Sequence, residues 1–322
     1  MECLYTESIE YIQSFSLLGV IGLVAVTYSL INIINTLLWT PFKLFLLARV
    51  LPGVDFRQLG KWAVVTGGSD GIGRGYARSL AKRGMNILMI SKYHENLHRT
   101  EQELRREYGV DVKSVAVDFT NTEVYETIRH ELQGLDVGVL INNVGTGTGS
   151  AFQTFLQINN LLQSTTDVLR VNCISMTNMC ALILPQMLEK RKGVIVNISS
   201  IGQSGYLGSP VYSASKSYVS RLSDCLQRTY RNSGVIIQTV EPGIVMTDLY
   251  MSEYENGTAP KFLETAKNYT SVAAEDFASS AVNTIGWTGI SNGCLKHYFV
   301  SVLAKIGSQK TIDKKLLDVI NN

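Results

Sequence analysis

From Trp62 onward, short apolar runs rich in Val and Ile alternate with amphipathic stretches of helical period, and very few folds accept that alternation. A strand covered on both faces reads as an unbroken apolar run, and each gap between runs is long enough for a crossover helix. The pattern therefore predicts an α/β, Rossmann-type, doubly wound parallel sheet with helices on both faces. Strands are expected over 62–66, 86–90, 112–117, 137–142, 194–198 and 235–240, and helices over 71–83, 95–108, 122–132, 164–189, 212–232 and 274–285. Two regions escape the pattern. Residues 244–270 are polar without a clear period, which suits a lid. The apolar, cation-spaced run 294–306 reads equally as a last strand, a pocket helix or a membrane-surface contact.

The N-terminal residues do not share this alternation. No charged residue occurs between Glu10 and Lys43, and the run 17–38 is long enough to cross a hydrocarbon core of ~30 Å, so an N-terminal transmembrane helix is expected. Glu2, Glu7 and Glu10 precede the run where a cleaved signal peptide would carry basic residues, which favours a retained anchor. The flank that follows is mainly basic (Lys43, Arg49, Arg57, Lys61), and the positive-inside rule then places the rest of the chain on the cytosolic side. Residues 1–60 read as anchor and linker, and 61–322 as one α/β domain with a variable C-terminal segment, 286–322.

A net charge of +2 is too small for an electrostatic nucleic-acid footprint, so a small-molecule partner is expected and no nucleic acid. Cys3, Cys173, Cys180, Cys225 and Cys294 are scattered without CxxC spacing and the four histidines are dispersed, so neither a disulfide framework nor a metal site is expected.

The first strand runs into Thr66-Gly67-Gly68-Ser69-Asp70-Gly71-Ile72-Gly73 and then a helical pattern. Glycines let the backbone turn tightly against a pyrophosphate, whose charge is favoured by the free N–H groups and dipole of the helix start. At the end of the second strand, where an NAD enzyme carries an acidic residue for the ribose, this chain has Ser91-Lys92. A cation there pairs with a 2′-phosphate and no carboxylate repels it, so NADP(H) is preferred; Arg74 is a candidate second phosphate partner. Tyr212 and Lys216 lie one turn apart on a predicted helix, so the ammonium favours tyrosinate and draws the phenol pKa below its usual ~10. That suits proton exchange with an alcohol or ketone. Upstream, Val196-Asn197-Ile198-Ser199-Ser200 ends a strand in hydroxyls able to hydrogen-bond a reacting oxygen.

The glycine turn, Asn142-Asn143-Val144-Gly145, Asn197-Ile198-Ser199-Ser200, Tyr212-x-x-x-Lys216 and Pro242-Gly243 resemble, in order and spacing, the short-chain dehydrogenase/reductase family over about residues 61–249. The anchor, Gly84-Met85-Asn86 and Leu135-Asp136-Val137-Gly138-Val139-Leu140 look like its membrane-bound branch of 17β-hydroxysteroid dehydrogenases types 3 and 12 and very-long-chain 3-oxoacyl-CoA reductases. The resemblance implies Tyr212 as general acid in reduction, Lys216 on the nicotinamide ribose, Ser200 on the substrate carbonyl and Asn172 in a helix lining a proton relay. It also implies Gly67, Ser69, Asp70, Gly71, Ile72 and Gly73 around the pyrophosphate, Ser91 and Lys92 at the 2′-phosphate, Asp118 at the adenine and Asn143 at its ribose. Gly243, Val245 and Thr247 would lie on the nicotinamide side. Two features depart from the family: an arginine is usual at Lys92, and the Ser200-to-Tyr212 spacing is one residue short, which leaves Ser199 as a rival to Ser200.

The expected function is NADP(H)-dependent interconversion of a ketone and a secondary alcohol on a lipophilic steroid or very-long-chain 3-oxoacyl-CoA, at the endoplasmic reticulum membrane with the catalytic domain in the cytosol. A homodimer is compatible with this reading. The alternatives are a catalytically silent membrane-anchored nucleotide-binding scaffold, or a retinol or other lipid-alcohol oxidoreductase.

Overall fold

A computed structural model describes residues 2–51, 53–149, 154–204, 210–247 and 268–306. Seven strands form one sheet, β1 (Trp62–Thr66), β2 (Asn86–Ser91), β3 (Val112–Ala116), β4 (Val137–Asn142), β5 (Gly193–Ile198), β6 (Val235–Val240) and β9 (Ile290–Ser291). Their order is β3-β2-β1-β4-β5-β6-β9 and every pairing is parallel. The order reverses between β1 and β4, so the loops leaving those strands diverge and open a crevice at the carboxyl edge of the sheet, where doubly wound folds bind ligands.

The apolar runs form strands because both faces of the sheet are covered. On one face, α3 (Gly71–Ala81), α4 (His94–Tyr108) and α9 (Ala274–Asn283) bury Tyr76, Leu80, Leu97, Leu104 and Phe277 against Val65, Ile87 and Met89. On the other, α5 (Val124–Leu132), α7 (Ser175–Lys190) and α8 (Pro210–Thr229) bury Ile128, Met179, Ile183 and Val219 against Val64, Leu88, Leu140 and Ile195. Neighbouring strand residues thus serve opposite cores, as the two-residue side-chain period requires.

The structure adds detail to the sequence expectation. The helix expected over 164–189 forms, with α6 (Leu161–Leu169) running into α7 through a π-helical turn at Arg170–Ile174. Two-residue strands β7 (Val245–Met246) and β8 (Val272–Ala273) pair outside the main sheet, too short to leave an apolar period. The run whose nature stayed open is helical, α10 (Leu295–Ile306). Most of the expected lid lies outside the described residues, as do the last residues of the C-terminal segment.

At the N-terminus, α1 (Glu2–Ile34) continues without a break through π-helical stretches Asn35–Trp39 and Lys43–Leu47 to Val50. Pro41, between those stretches, has no N–H for the carbonyl four residues back, and the helix widens around it. The helix Leu17–Val50 is long and apolar enough to cross a membrane, and its most apolar stretch, with a mean hydropathy of 2.2, lies wholly outside the protein interior. Its far end is different: Leu44, Phe45 and Ala48 are buried. A short helix, α2 (Phe56–Leu59), capped by the Asp55 carboxylate, leads into β1.

Candidate active site

The crevice is built from the turns that leave β1, β4, β5 and β6. After β1, Gly67 (φ 63°) and Gly71 (φ 52°) sit in the left-handed region, where a side chain is strained. At Gly71 a Cβ would also lie 2.8 Å from the Thr247 methyl, so this turn and the segment after β6 touch through the glycine. Asp70 caps α3, its carboxylate accepting from the Gly71 N–H at 2.6 Å. Ile72 packs on the core below, and Gly73 presses close to the Gly67 carbonyl and the Asn143 amide.

Hydrogen bonds lock the two diverging loops together. The Thr66 hydroxyl accepts from the backbone N–H of Asn143 (3.0 Å) and Val144 (3.1 Å), while Asn143 Nδ2 donates to the carbonyls of Thr66 (3.1 Å) and Gly67 (3.2 Å). Asn143 is therefore a brace under the glycine turn. Ser69 and Ser91, both buried, join the turn to the end of β2 by a hydroxyl contact of 2.8 Å. The result is a preformed backbone cradle at a helix N-terminus, with no side chain filling it from Gly67, Gly71 or Gly73, and it fits a dinucleotide pyrophosphate.

At the end of β2 the expected cation has a partner in this structure. Asp118, from the segment after β3, lies 2.8 Å from Lys92 Nζ. Burial raises the Asp118 carboxyl, but the bonds from Lys92 and Thr120 outweigh it and hold it below its ordinary range. The Asp118 hydrogen bond and charge in turn raise Lys92. Both side chains remain solvent-accessible, at 59% and 36%. Arg74, expected as a second phosphate partner, is instead ion-paired with Glu103 at 2.6 Å. Neither pairing is legible in the sequence, because both carboxylates come from distant segments.

Across the crevice, α8 presents half-buried Tyr212 and buried Lys216, whose Nζ is 5.7 Å from the Tyr212 ring centroid and donates to the Ile198 carbonyl at 3.0 Å. Burial draws the Lys216 ammonium down to about 8. A Cβ on Gly145 would stand 3.2 Å from Lys216 Nζ and 3.5 Å from Asn172 Oδ1, so the loop after β4 closes directly over both groups. Asn172 belongs to the π-helical turn. Its Oδ1 accepts from Thr146 N at 2.8 Å, and its Nδ2 donates to the Thr146 carbonyl (2.9 Å) and Ser215 Oγ (2.8 Å). Ser215 Oγ then donates to the Tyr212 carbonyl at 2.7 Å. One amide thereby ties the loop after β4 to the turn of α8 that bears the tyrosine, and a π turn at such a site is a recurrent functional device.

The two serines after β5 differ sharply. Ser199 is buried, donates to the Lys216 carbonyl at 2.8 Å and receives the Ser220 hydroxyl at 2.7 Å, so its oxygen is committed to the interior. Ser200 is half-buried and its oxygen accepts from Gly202 N at 3.0 Å, which leaves its own proton available.

Sequence reasoning missed two groups beneath this surface. Glu241, the residue before Pro242-Gly243, is buried and accepts from Gln203 Nε2, in the turn after Ser200, and from Ser220 Oγ at 3.4 Å. Burial raises its carboxyl, against the opposing influence of Lys305, Ser220 and Gln203. A carboxylate directly after a buried strand and before Pro242-Gly243 was the available signal. His297, on α10, is buried under Gly243, where a Cβ would lie 2.9 Å from the ring, and its Nε2 is 3.0 Å from the Ile244 carbonyl. Burial lowers its imidazole below the ordinary 6.5, while the carbonyls of Ile244 and Thr270 oppose the change. No sequence signal marked it. Val245 is buried in β7 as part of the core, Gly243 packs on His297, and of the three only Thr247 is seen to meet the glycine turn.

A family model for short chain dehydrogenases matches residues 61–257. The chain is 40% identical over 254 residues to a very-long-chain 3-oxoacyl-CoA reductase of Bos taurus (78% of this chain, 77% of that protein). It is 38% identical over 240 residues to a 17-beta-hydroxysteroid dehydrogenase type 3 of Danio rerio (73% and 78%). Among solved structures, a short-chain dehydrogenase from Sphingobium yanoikuyae in complex with NADPH matches with a TM-score of 0.60 at 26% identity, covering 69% of this chain and 82% of that one. An actinorhodin polyketide ketoreductase variant with NADPH matches with a TM-score of 0.64 at 26% identity, covering 73% and 95%.

Proposed function

Since the chain belongs to the short-chain dehydrogenase family, we propose that it is an NADP(H)-dependent oxidoreductase that interconverts a ketone and a secondary alcohol on a lipophilic substrate, a steroid or a very-long-chain 3-oxoacyl-CoA. The observation that carries this reading is the buried Lys216 ammonium beneath Tyr212, with a half-buried Ser200 hydroxyl at the same strand end.

NADPH, when bound, supplies the hydride that reduces the carbonyl carbon. The chain handles the oxygen. Ser200 donates its hydroxyl proton to the carbonyl oxygen as a hydrogen bond and orients it, and Tyr212 transfers its phenolic proton to that oxygen, completing the alcohol. Lys216 stabilises the negative charge left on the tyrosine oxygen, and its low-dielectric surroundings strengthen that effect. Asn172 holds the α8 turn and the loop after β4 in register, which fixes the tyrosine's position. Gly67, Ser69, Asp70, Gly71, Ile72 and Gly73 hold the pyrophosphate; Asn143 supports them and the adenine-side ribose. Ser91 and Lys92 take the 2′-phosphate, with the exposed Lys92 turning from Asp118 toward it while Asp118 meets the adenine. Gly243, Val245 and Thr247 flank the nicotinamide.

Residues 17–38 anchor the enzyme in the endoplasmic reticulum membrane with the catalytic domain, 61–322, in the cytosol, so that a lipophilic substrate reaches the site from the bilayer. A homodimer is compatible with this reading. The test follows NADPH oxidation by the membrane fraction with a 3-oxoacyl-CoA and, separately, a 17-ketosteroid. One class is turned over, and Tyr212→Phe lowers that rate by about 10²–10⁴-fold. Tight NADPH binding without turnover of either would favour a silent nucleotide-binding scaffold.

A further inference from the structure

The C-terminal helix α10 is amphipathic in an unusual sense, because its apolar side faces outward. At 100° per residue, Leu295, Phe299, Leu303 and Ile306 fall on one face, and they are 44%, 37%, 67% and 75% exposed. The opposite face carries the buried groups His297 and Ser301. Lys296 and Lys305 are exposed on either flank of the apolar stripe. Four large apolar side chains held in water by a helix of about 18 Å are an interaction surface rather than scatter.

The position of α10 identifies what covers it. Tyr298, beside the stripe, donates its hydroxyl proton to the backbone carbonyl of Thr36 at 2.7 Å, and its ring lies 6.1 Å from that of buried Phe45. Both partners belong to the helix that continues from α1. Tyr298 thus docks α10 against the end of that helix, which itself exposes the apolar side chains Trp39, Phe42, Leu46 and Val50. Trp39 is the residue type favoured at the headgroup level; of the flanking lysines, Lys296 donates to the Ser271 carbonyl at 3.0 Å, while the exposed Lys305 ammonium suits the headgroup layer.

We propose that α10 lies in the interfacial layer of the same bilayer that holds α1, with Leu295, Phe299, Leu303 and Ile306 in lipid, so that the enzyme is seated on the membrane by two elements. This rests on the anchoring reading of residues 17–38. Its consequence for the site is direct, since α10 also carries His297, against which the Pro242-Gly243 turn packs.

The experiment uses the full chain, with Cys3→Ser and Cys225→Ser, in phosphatidylcholine–phosphatidylserine vesicles. Single spin labels are placed at Leu303→Cys, Ile306→Cys, Val24→Cys in α1, and Arg106→Cys on the exposed side of α4. Collision with oxygen, which partitions into lipid, is compared with collision with a water-soluble nickel complex. Positions 303 and 306 give an oxygen-to-nickel ratio several-fold above that of 106, at a shallower depth than 24. If 24 is in lipid while 303 and 306 match 106, or are shielded from both reagents by a second copy or another segment, the proposal is overturned and the anchor stands. If 24 itself is in water, the anchoring reading falls and this one with it.

Discussion

Around β2 and β3 the charges are matched in the open: Lys92 with Asp118, Arg74 with Glu103, at side-chain exposures of 21% or more. Beneath α8 they are not matched at all. Lys216 is buried beside a backbone carbonyl, Glu241 is buried among amides and hydroxyls, and His297 is buried against a glycine turn. Exposed pairs contribute little to stability and are free to exchange partners, which suits a region that must accept and release a phosphate. Buried groups are costly and rigid, which suits a region that must hold a proton donor in one place.

That contrast is broken most severely at Lys216. Holding its ammonium in the interior at neutral pH, with a pKa of about 8 against 10.5, costs the fold ~3 kcal/mol. Lys216→Met is therefore expected to lower the reduction rate by roughly 10³-fold while urea unfolding shows equal or greater stability. A variant that lost both would show that the lysine is structural first. Next in size is Asn172→Ala, which removes the partner of the Thr146 N–H and carbonyl and one donor to Ser215 Oγ; a stability loss of about 2–4 kcal/mol in the same assay is expected, with reduced turnover.

Smaller again is the pH response of His297. Its folded pKa is depressed, so the neutral ring is the form the fold prefers. The stabilisation is present above the unfolded value of 6.5 and is lost as pH falls through the folded one, by no more than about 2 kcal/mol between pH 6.5 and 5. Wild type should lose more stability over that interval than His297→Gln. The smallest structural effect is at Lys92. Lys92→Ala is expected to leave stability within about 0.5 kcal/mol yet raise the KM for NADPH about tenfold without changing that for NADH. A large stability loss there would erase the distinction between the two regions.

The same contrast explains what was legible in the sequence. β1, β2, β4, β5 and β6 were readable because burial on both faces leaves a nearly continuous apolar run, and the glycine turn because left-handed backbone restricts residue choice; β3, at the sheet edge with Lys113 and Ser114 exposed, carries a weaker signal. Tyr212 and Lys216 were readable because one helical turn fixes their relation. The pairings of Lys92 and Arg74, the interior bonds of Ser199 and those of Glu241 to Gln203 and Ser220 were not, since each depends on which distant segments the topology brings together. The π turn at Asn172 left no mark because its residues are ordinary helix formers. β9 escaped because two residues carry no period.

The passage from the apolar helix to the domain contains no slack. The helix that begins in α1 runs on to Val50, and Leu44, Phe45 and Ala48 are already packed into the folded body. A flexible tether lets its cargo tumble, so each encounter with a membrane-dissolved molecule samples every orientation. A rigid bracket removes those rotations before the encounter, and the search is reduced to lateral diffusion in a plane with the mouth of the crevice held at one tilt and one height. Restoring the tumbling would therefore require breaking the packing of Leu44, Phe45 and Ala48, since a longer linker after Val50 would leave those contacts in place.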